Sequence, residues 1–537
     1  MQQETFDYII VGAGSAGSAL ANRLSADPRH SVLLLEAGRP SHPLSPIPAS
    51  FAKLIKNPDA NWCYASEPEA NTGERQIPIP RGKLLGGSSS INGMVFVRGQ
   101  RHDFDHWAQL GNRGWSYQDV LPLFKRMESY SGAGDDQYRG RDGPLKVSDI
   151  HESGPLYDSL FAAAKSIGID RNDDYNGPEQ DGITMTQASI RDGRRMSTAH
   201  CYLEPARSRS NLHIVTDALT ERLLLEGKRC IGVRYGVGTR VHEARARREV
   251  IVSAGAINSP QLLELSGIGN PEILRQHGIE VRHALPGVGE NLRDHWAPRL
   301  RWSMAARGVA YNDRARGLRL GLQIAKYALT RKGFLSLPAS PMRAYVRTRE
   351  GLAAADAAIM IQPFLITPDI KLDKQPGVTV IVHQLRPEST GSIHIKSMDA
   401  KVPPAVRFNF LSSPIDRDVL LENIRIARRL LEAPPMKWLG LNEMSPGKAI
   451  QSDTELLDWV KATAETAYHP VGTCKMGQDK MAVVDERLRV HGIDGLRIAD
   501  ASIMPTLTSG NTNAPSIMIG EKASTLVLEA AKERVAA

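Results

Sequence analysis

A chain of 537 residues with 41% hydrophobic and 23% charged residues has the make-up of a globular protein of about two domains. It contains no run of about 18 apolar residues, which excludes a bilayer-spanning helix, and its polar start, residues 1–6, lacks the features of a secretory leader, so a cytoplasmic protein is expected. The net charge of +8 comes without any Lys/Arg run interleaved with aromatics, so nucleic acid is not an expected partner; Cys63, Cys201, Cys230 and Cys474 lie far apart without ligand spacing, so reduced thiols and no metal are expected.

The first apolar run, residues 7–11, predicts a strand that leads into Gly12-Ala13-Gly14-Ser15-Ala16-Gly17 and a small-residue helix over 15–24. Glycines allow a tight turn and close backbone approach to a pyrophosphate, which then sits on the helix N-terminus. A second strand, 31–35, ends in Glu36, about 20 residues on, where a carboxylate accepts from ribose hydroxyls. This is a dinucleotide site, but the pattern leaves FAD and NAD unseparated. A second glycine cluster over 81–93, with Gly86, Gly87, Ser88, Asn92 and Gly93, forms an anion-binding concavity and leaves room for a flat ring, which favours FAD.

Further along, a strand over 250–253 precedes a helix over 258–266, and helical periodicity returns at 317–330 and 417–432. The stretch 300–455 carries alternating strands such as Gly391-Ser392-Ile393-His394-Ile395-Lys396 and no phosphate-cradling loop, and a last strand over 496–499 ends at Asp500. The expected fold is α/β: a discontinuous Rossmann-like dinucleotide domain from 1–150, 206–299 and 456–537, and an inserted mixed-sheet substrate domain from 151–205 and 300–455.

Residues 82–105 resemble the first signature of the glucose–methanol–choline (GMC) oxidoreductases, and 255–269 resemble the second. The blocks Tyr468-His469-Pro470-Val471-Gly472-Thr473 and Gly510-Asn511-Thr512-Asn513-Ala514-Pro515 are similar to the family's catalytic segments. The resemblance implies FAD at the junction of the two domains. It implies FAD contacts from Gly12, Gly14, Ser15, Ala16, Glu36, Ala37 and Trp62, and from Arg81, Gly82, Gly86, Gly87, Ser88, Asn92, Gly93, Met94 and Val95. Later in the chain it implies contacts from Thr220, Ala254, Gly255, Tyr468, Asp500, Ala501, Asn511 and Thr512. Some members tether the flavin through a His that pairs here with Ile91, which has no nucleophilic atom, so non-covalent FAD is expected.

Alcohol oxidation needs a base near neutral pKa and a donor to the developing alkoxide. Imidazole suits the first task and a non-titrating amide the second. The resemblance assigns these to His469 and Asn513, while His295 and His491 are read as structural. An FAD-dependent alcohol dehydrogenase or oxidase is expected, with oxygen, a quinone or another acceptor and a monomeric or homodimeric chain. A flavin-containing lyase of the same fold, and a protein keeping FAD only as a structural element, are the other readings. A serine hydrolase is excluded because no G-x-S-x-G elbow is present.

Choline-oxidising members place a Glu in a substrate-domain strand that resembles residues 336–345; the pairing puts Pro341 there. Arg343, two residues on, shares the side of Pro341 in an extended strand, so choline is not the expected substrate if Arg343 points inward. A surface Arg343 is the alternative. The positive charge is local, since residues 293–332 hold ten Lys/Arg and two Asp. In a helix over 316–330, Leu318, Leu322, Ala325 and Leu329 share one face, opposite Arg316, Arg319, Gln323 and Lys326. Two readings stand: a core-packed helix with a solvated basic face, or a docking surface for anionic lipid or an acidic acceptor protein.

Overall fold

The computed structural model describes residues 4–369 and 371–536, so the first half of the polar start lies outside the described residues. Four strands legible in the sequence lie together in a seven-stranded sheet. Val32–Leu35, Glu4–Val11 and Arg240–Val252 are neighbours in that order and parallel, with Leu212–Val215 outside Val32–Leu35. Leu496–Ile498 pairs in parallel with the last three residues of Arg240–Val252. The Val-Leu-Leu-Leu run of the second strand is buried at every position, as parallel strands covered on both faces require. Arg240–Val252 extends well beyond its apolar end, and its basic first half pairs antiparallel with Arg229–Val237, which forms a hairpin with Ala218–Glu226.

The helix Ser15–Leu24 packs along the C-terminal helix Asn513–Ala536. Both helices start beside the carboxyl ends of the parallel strands, where open α/β sheets bind ligands.

A second sheet of six antiparallel strands runs Leu441–Ser445, Arg299–Met304, Gly377–Gln384, Ala357–Gln362, Met342–Val346 and Gly182–Met185. Helix Pro414–Glu432 buries Leu420, Ile424, Ala427 and Leu431 in one core with Ile359, Val380 and Val382 of this sheet.

The helix Gly317–Thr330 departs from its core-packed reading. Tyr327 is its one buried residue, and the Tyr327 hydroxyl donates to the Gly193 carbonyl at 2.9 Å. The leucines expected to face the core are turned away from it.

Candidate active site

A cavity of about 360 Å³ is lined both by Val11, Leu35 and Ser253, at the carboxyl ends of parallel strands, and by Met360, Gln362 and Ile381 of the antiparallel sheet. Gly12 has φ +100°, and a Cβ there would lie 2.4 Å from the Ser253 carbonyl oxygen. Gly14 caps the helix Ser15–Leu24 with no side-chain hydrogen bond, and nothing lies within 4 Å of where its Cβ would be. The first N–H groups of that helix therefore face open space, the arrangement that binds a pyrophosphate. Gly87 would bring a Cβ to 2.8 Å from the Gly14 Cα, so the two glycine loops touch although they are far apart in sequence.

Two carboxylates stand on the cavity wall, both held by backbone donors. Glu36 accepts from the N–H groups of Ala13 (3.0 Å) and Gly38 (2.9 Å), and burial pushes it up to about 7. Asp500 accepts from the Gly255 N–H (2.9 Å), the Ser259 hydroxyl (2.6 Å) and the Ser502 N–H (2.8 Å). Beyond them lies a compact group of imidazoles. His469 follows Tyr468, which is held at φ +69° while its carbonyl accepts from Arg81 Nη2 at 2.5 Å. The His469 N–H donates to Asp294 Oδ1 at 2.9 Å.

The His469 ring is bonded at both nitrogens. Asn511 Nδ2 lies 2.9 Å from His469 Nε2, and His295 Nδ1 lies 2.9 Å from His469 Nδ1. His295 Nε2 meets the Leu385 carbonyl at 3.0 Å, and the His383 ring packs 4.3 Å from the His295 ring. Arg343 Nη1 donates to the Tyr345 hydroxyl (2.9 Å) and to Asn511 Oδ1 (3.4 Å). Arg343 is buried, and among the described residues no carboxylate pairs with it. Burial first, then the charges of His383, Arg81 and Arg343, hold His469 well below the usual imidazole value; burial likewise holds His295 well below it and pushes His383 down to about 4.

The GMC oxidoreductase N-terminal family model matches residues 6–297 and the C-terminal one residues 387–520. This chain belongs to the GMC oxidoreductases. An oxygen-dependent choline dehydrogenase of Rhizobium etli is 42% identical over 526 residues, 97% of this chain and 95% of the relative; one of Brucella anthropi is 41% identical over 528 residues, with the same coverage. Among solved structures, a pyridoxine 4-oxidase from Mesorbium loti superposes with TM-score 0.88 at 31% identity, covering 97% of this chain and 98% of that one. An Aspergillus oryzae formate oxidase gives TM-score 0.92 at 26% identity over 99% and 100% of the two chains.

As a GMC oxidoreductase the chain is an FAD-dependent enzyme acting on CH–OH donors. Its own residues fit that cofactor. The Thr220 hydroxyl is buried on the cavity wall without a protein partner among the described residues, and the uncapped helix start at Gly14 offers donors to phosphate. Gly14 and Ser15 would hold the pyrophosphate, Glu36 the adenosine ribose and Asp500 the ribityl chain. Ile91 lines the cavity and offers no atom for a covalent tether.

The residues expected to touch FAD all line this cavity except Gly86. Gly86 instead donates its N–H to the Ala13 carbonyl at 2.8 Å, so it ties the two glycine loops together. Asn513, expected as the donor to the substrate oxygen, makes its contact elsewhere. It lines the cavity at the start of its helix, where Asn513 Oδ1 accepts from the Ser15 hydroxyl at 2.7 Å. The amide bonded to His469 belongs to Asn511. His295, expected to be merely structural, is in direct contact with His469, and Arg343 is buried rather than on the surface. No sequence signal beyond the Asp294-His295 pair marks the former.

Proposed function

We propose that this GMC oxidoreductase oxidises a primary alcohol to the aldehyde, with His469 Nε2 as the base and Asn511 Nδ2 as the donor to the substrate oxygen. One directed chain of hydrogen bonds supports this reading. The Leu385 carbonyl can only accept, so His295 carries its proton on Nε2 and accepts at Nδ1. His469 Nδ1 must then donate, which leaves the lone pair of Nε2 facing Asn511. At the other end the Arg343 guanidinium donates to Asn511 Oδ1 and thereby turns Asn511 Nδ2 toward the imidazole. The lone pair and the amide N–H meet at one point on the cavity wall, where an alcohol oxygen gives up its proton to one and accepts from the other. FAD, when bound, supplies the two-electron acceptor for the hydride.

Arg343 and its positively charged neighbourhood bear on the substrate. The relatives at 41–42% identity are choline dehydrogenases, yet Glu36 and Asp500, the carboxylates on this cavity wall, are already engaged by backbone N–H groups. A quaternary ammonium loses hydration that needs a carboxylate or an aromatic cage to replace it. A cation about 6 Å from Arg343 at an effective dielectric near 20 is repelled by about 3 kcal/mol, or ~100-fold in affinity. We therefore assign neutral or acid-bearing primary alcohols as substrates. The proposed domain division keeps the expected boundaries, with the FAD domain on the parallel sheet and the substrate domain on the antiparallel one.

The test is anaerobic mixing of the yellow enzyme with choline and with uncharged primary alcohols at equal concentration. Flavin bleaching by the alcohols, slower with choline, is expected. Faster bleaching by choline overturns the substrate assignment; aldehyde formed without bleaching, or no reaction, overturns the oxidation itself.

A further inference from the structure

We propose that the helix Gly317–Thr330 docks this enzyme on an anionic lipid surface, with its leucine stripe laid into the bilayer interface. The proposal rests on the outside of the molecule and is independent of the roles given to His469 and Asn511.

The helix is amphipathic, but its polarity is inverted with respect to the protein. At 100° per residue, Leu318, Leu322, Ala325 and Leu329 fall within one narrow arc, and Tyr327 lies opposite them. Tyr327 is the residue that anchors the helix to the body of the protein. The apolar arc therefore points straight outward: Leu318 is 85% exposed, Leu322 61% and Leu329 86%. A helix stabilised only by packing on its own core would bury these side chains. Exposed leucines scattered singly are ordinary; a contiguous outward stripe marks a surface that something covers.

Charge decides what covers it. Arg319 and Lys326, two turns apart, line one edge of the stripe and not the face opposite it that the residue pattern suggested; Arg331 and Lys332 follow its end, and the helix contains no acidic residue. A second copy packed antiparallel on this face about a two-fold axis would set Arg319 and Lys326 against their counterparts. An anionic bilayer accepts the leucines and the cations together, the pattern of helices that lie in the interface plane. The helix is too short to cross a membrane, and no described helix is long and apolar enough to do so. From the docked helix the chain passes through Phe334–Ser336 to Ala339 and Ser340, which line the active-site cavity. The docking surface and the cavity wall are thus parts of one continuous segment.

Sedimentation of the full-length, FAD-loaded enzyme tests this, with vesicles of phosphatidylcholine alone and vesicles in which one lipid in three is phosphatidylglycerol, at ~0.1 M salt. Partitioning at least ~10-fold stronger to the anionic vesicles is expected. The variant Leu318→Ser/Leu322→Ser/Leu329→Ser should lose binding to both while keeping its flavin absorbance and its turnover in solution, because these side chains support no core. Arg319→Glu/Lys326→Glu should lose only the preference for anionic lipid. Equally poor sedimentation with both vesicles overturns the proposal, as does a leucine variant that binds like the parent. So does a wild-type dimer that the leucine changes convert to monomer without any vesicle binding, since a second copy then covers the stripe.

Discussion

Exchanging each asparagine of the Gly510-Asn511-Thr512-Asn513 loop for alanine separates chemistry from cofactor holding. Asn511 Nδ2 sits 2.9 Å from His469 Nε2, so in the proposed mechanism Asn511→Ala deletes the donor to the alcohol oxygen as it becomes an alkoxide. A preorganised donor to a developing oxyanion contributes roughly 10²–10³-fold in rate, about 3–4 kcal/mol. Asn513 makes a different contact, with the Ser15 hydroxyl at 2.7 Å, and its loss removes one ordinary hydrogen bond of about 1 kcal/mol beside the phosphate-facing helix start. Stopped-flow bleaching of the flavin under anaerobic, saturating alcohol should fall roughly 10²–10³-fold in Asn511→Ala with FAD retained. Asn513→Ala should stay within about tenfold in rate and instead release FAD more readily on dilution. A slower reduction in Asn513→Ala than in Asn511→Ala refutes the placement, and an Asn511→Ala effect confined to KM makes that side chain a binding group only.

His295→Phe removes the acceptor that fixes the His469 tautomer and should slow flavin reduction at least ~10²-fold, the scale of loss that a wrong tautomer brings to a histidine base, with FAD content unchanged. Because His469 is held well below the usual imidazole value of about 6.5, the base stays unprotonated in mildly acidic buffer. The acid limb of the flavin-reduction profile should therefore lie below pH 6.5, and a limb above pH 7 contradicts the assignment. His383 sits at about 4 in the fold while the unfolded chain takes that proton near 6.5. Its contribution is therefore lost as pH falls through that window, by up to about 3 kcal/mol, and His383→Asn should flatten the acid side of a urea-denaturation series. Acid precipitation should leave yellow FAD in the supernatant, since Ile91 provides no attachment atom; flavin remaining with the pellet is the contrary result.

The parallel sheet is legible in the sequence because its strands are short apolar runs ending in Gly, Glu or Asp, and few arrangements besides a buried parallel strand produce that pattern. The hairpin Ala218–Glu226 and Arg229–Val237 is not, because Leu223-Leu224-Leu225 sits among charged residues of both signs and Gly232 and Gly236 interrupt the second strand, leaving no clear alternation to read. The helix at 317–330 shows a different limit. Its period and its leucine face are plain in the sequence, but periodicity reports only that two faces differ. Which face meets the protein depends on Tyr327 and on what surrounds it.

The same limit explains the active site. Asn511 and Asn513 belong to one motif, and residue type cannot tell them apart. The helix begins at Asn513, which commits that side chain to the neighbouring helix start at Ser15, whereas Asn511 lies in the preceding loop and turns to His469. His295 and His469 are 174 positions apart, and Arg343 reaches Asn511 across 168. None of these pairs has a sequence spacing to detect, yet in the proposed mechanism they set the tautomer of the base and the direction of the amide. A buried guanidinium without an anion is costly to keep. Arg343 is held here by Tyr345 and by Thr186, and its charge bears on the one place in the cavity where an alcohol oxygen becomes negative. If Asn511 is the donor, a cation behind it favours that oxyanion and disfavours a cationic substrate for the same electrostatic reason, so the comparison of choline with uncharged alcohols weighs this single side chain against the chain's overall likeness to choline dehydrogenases.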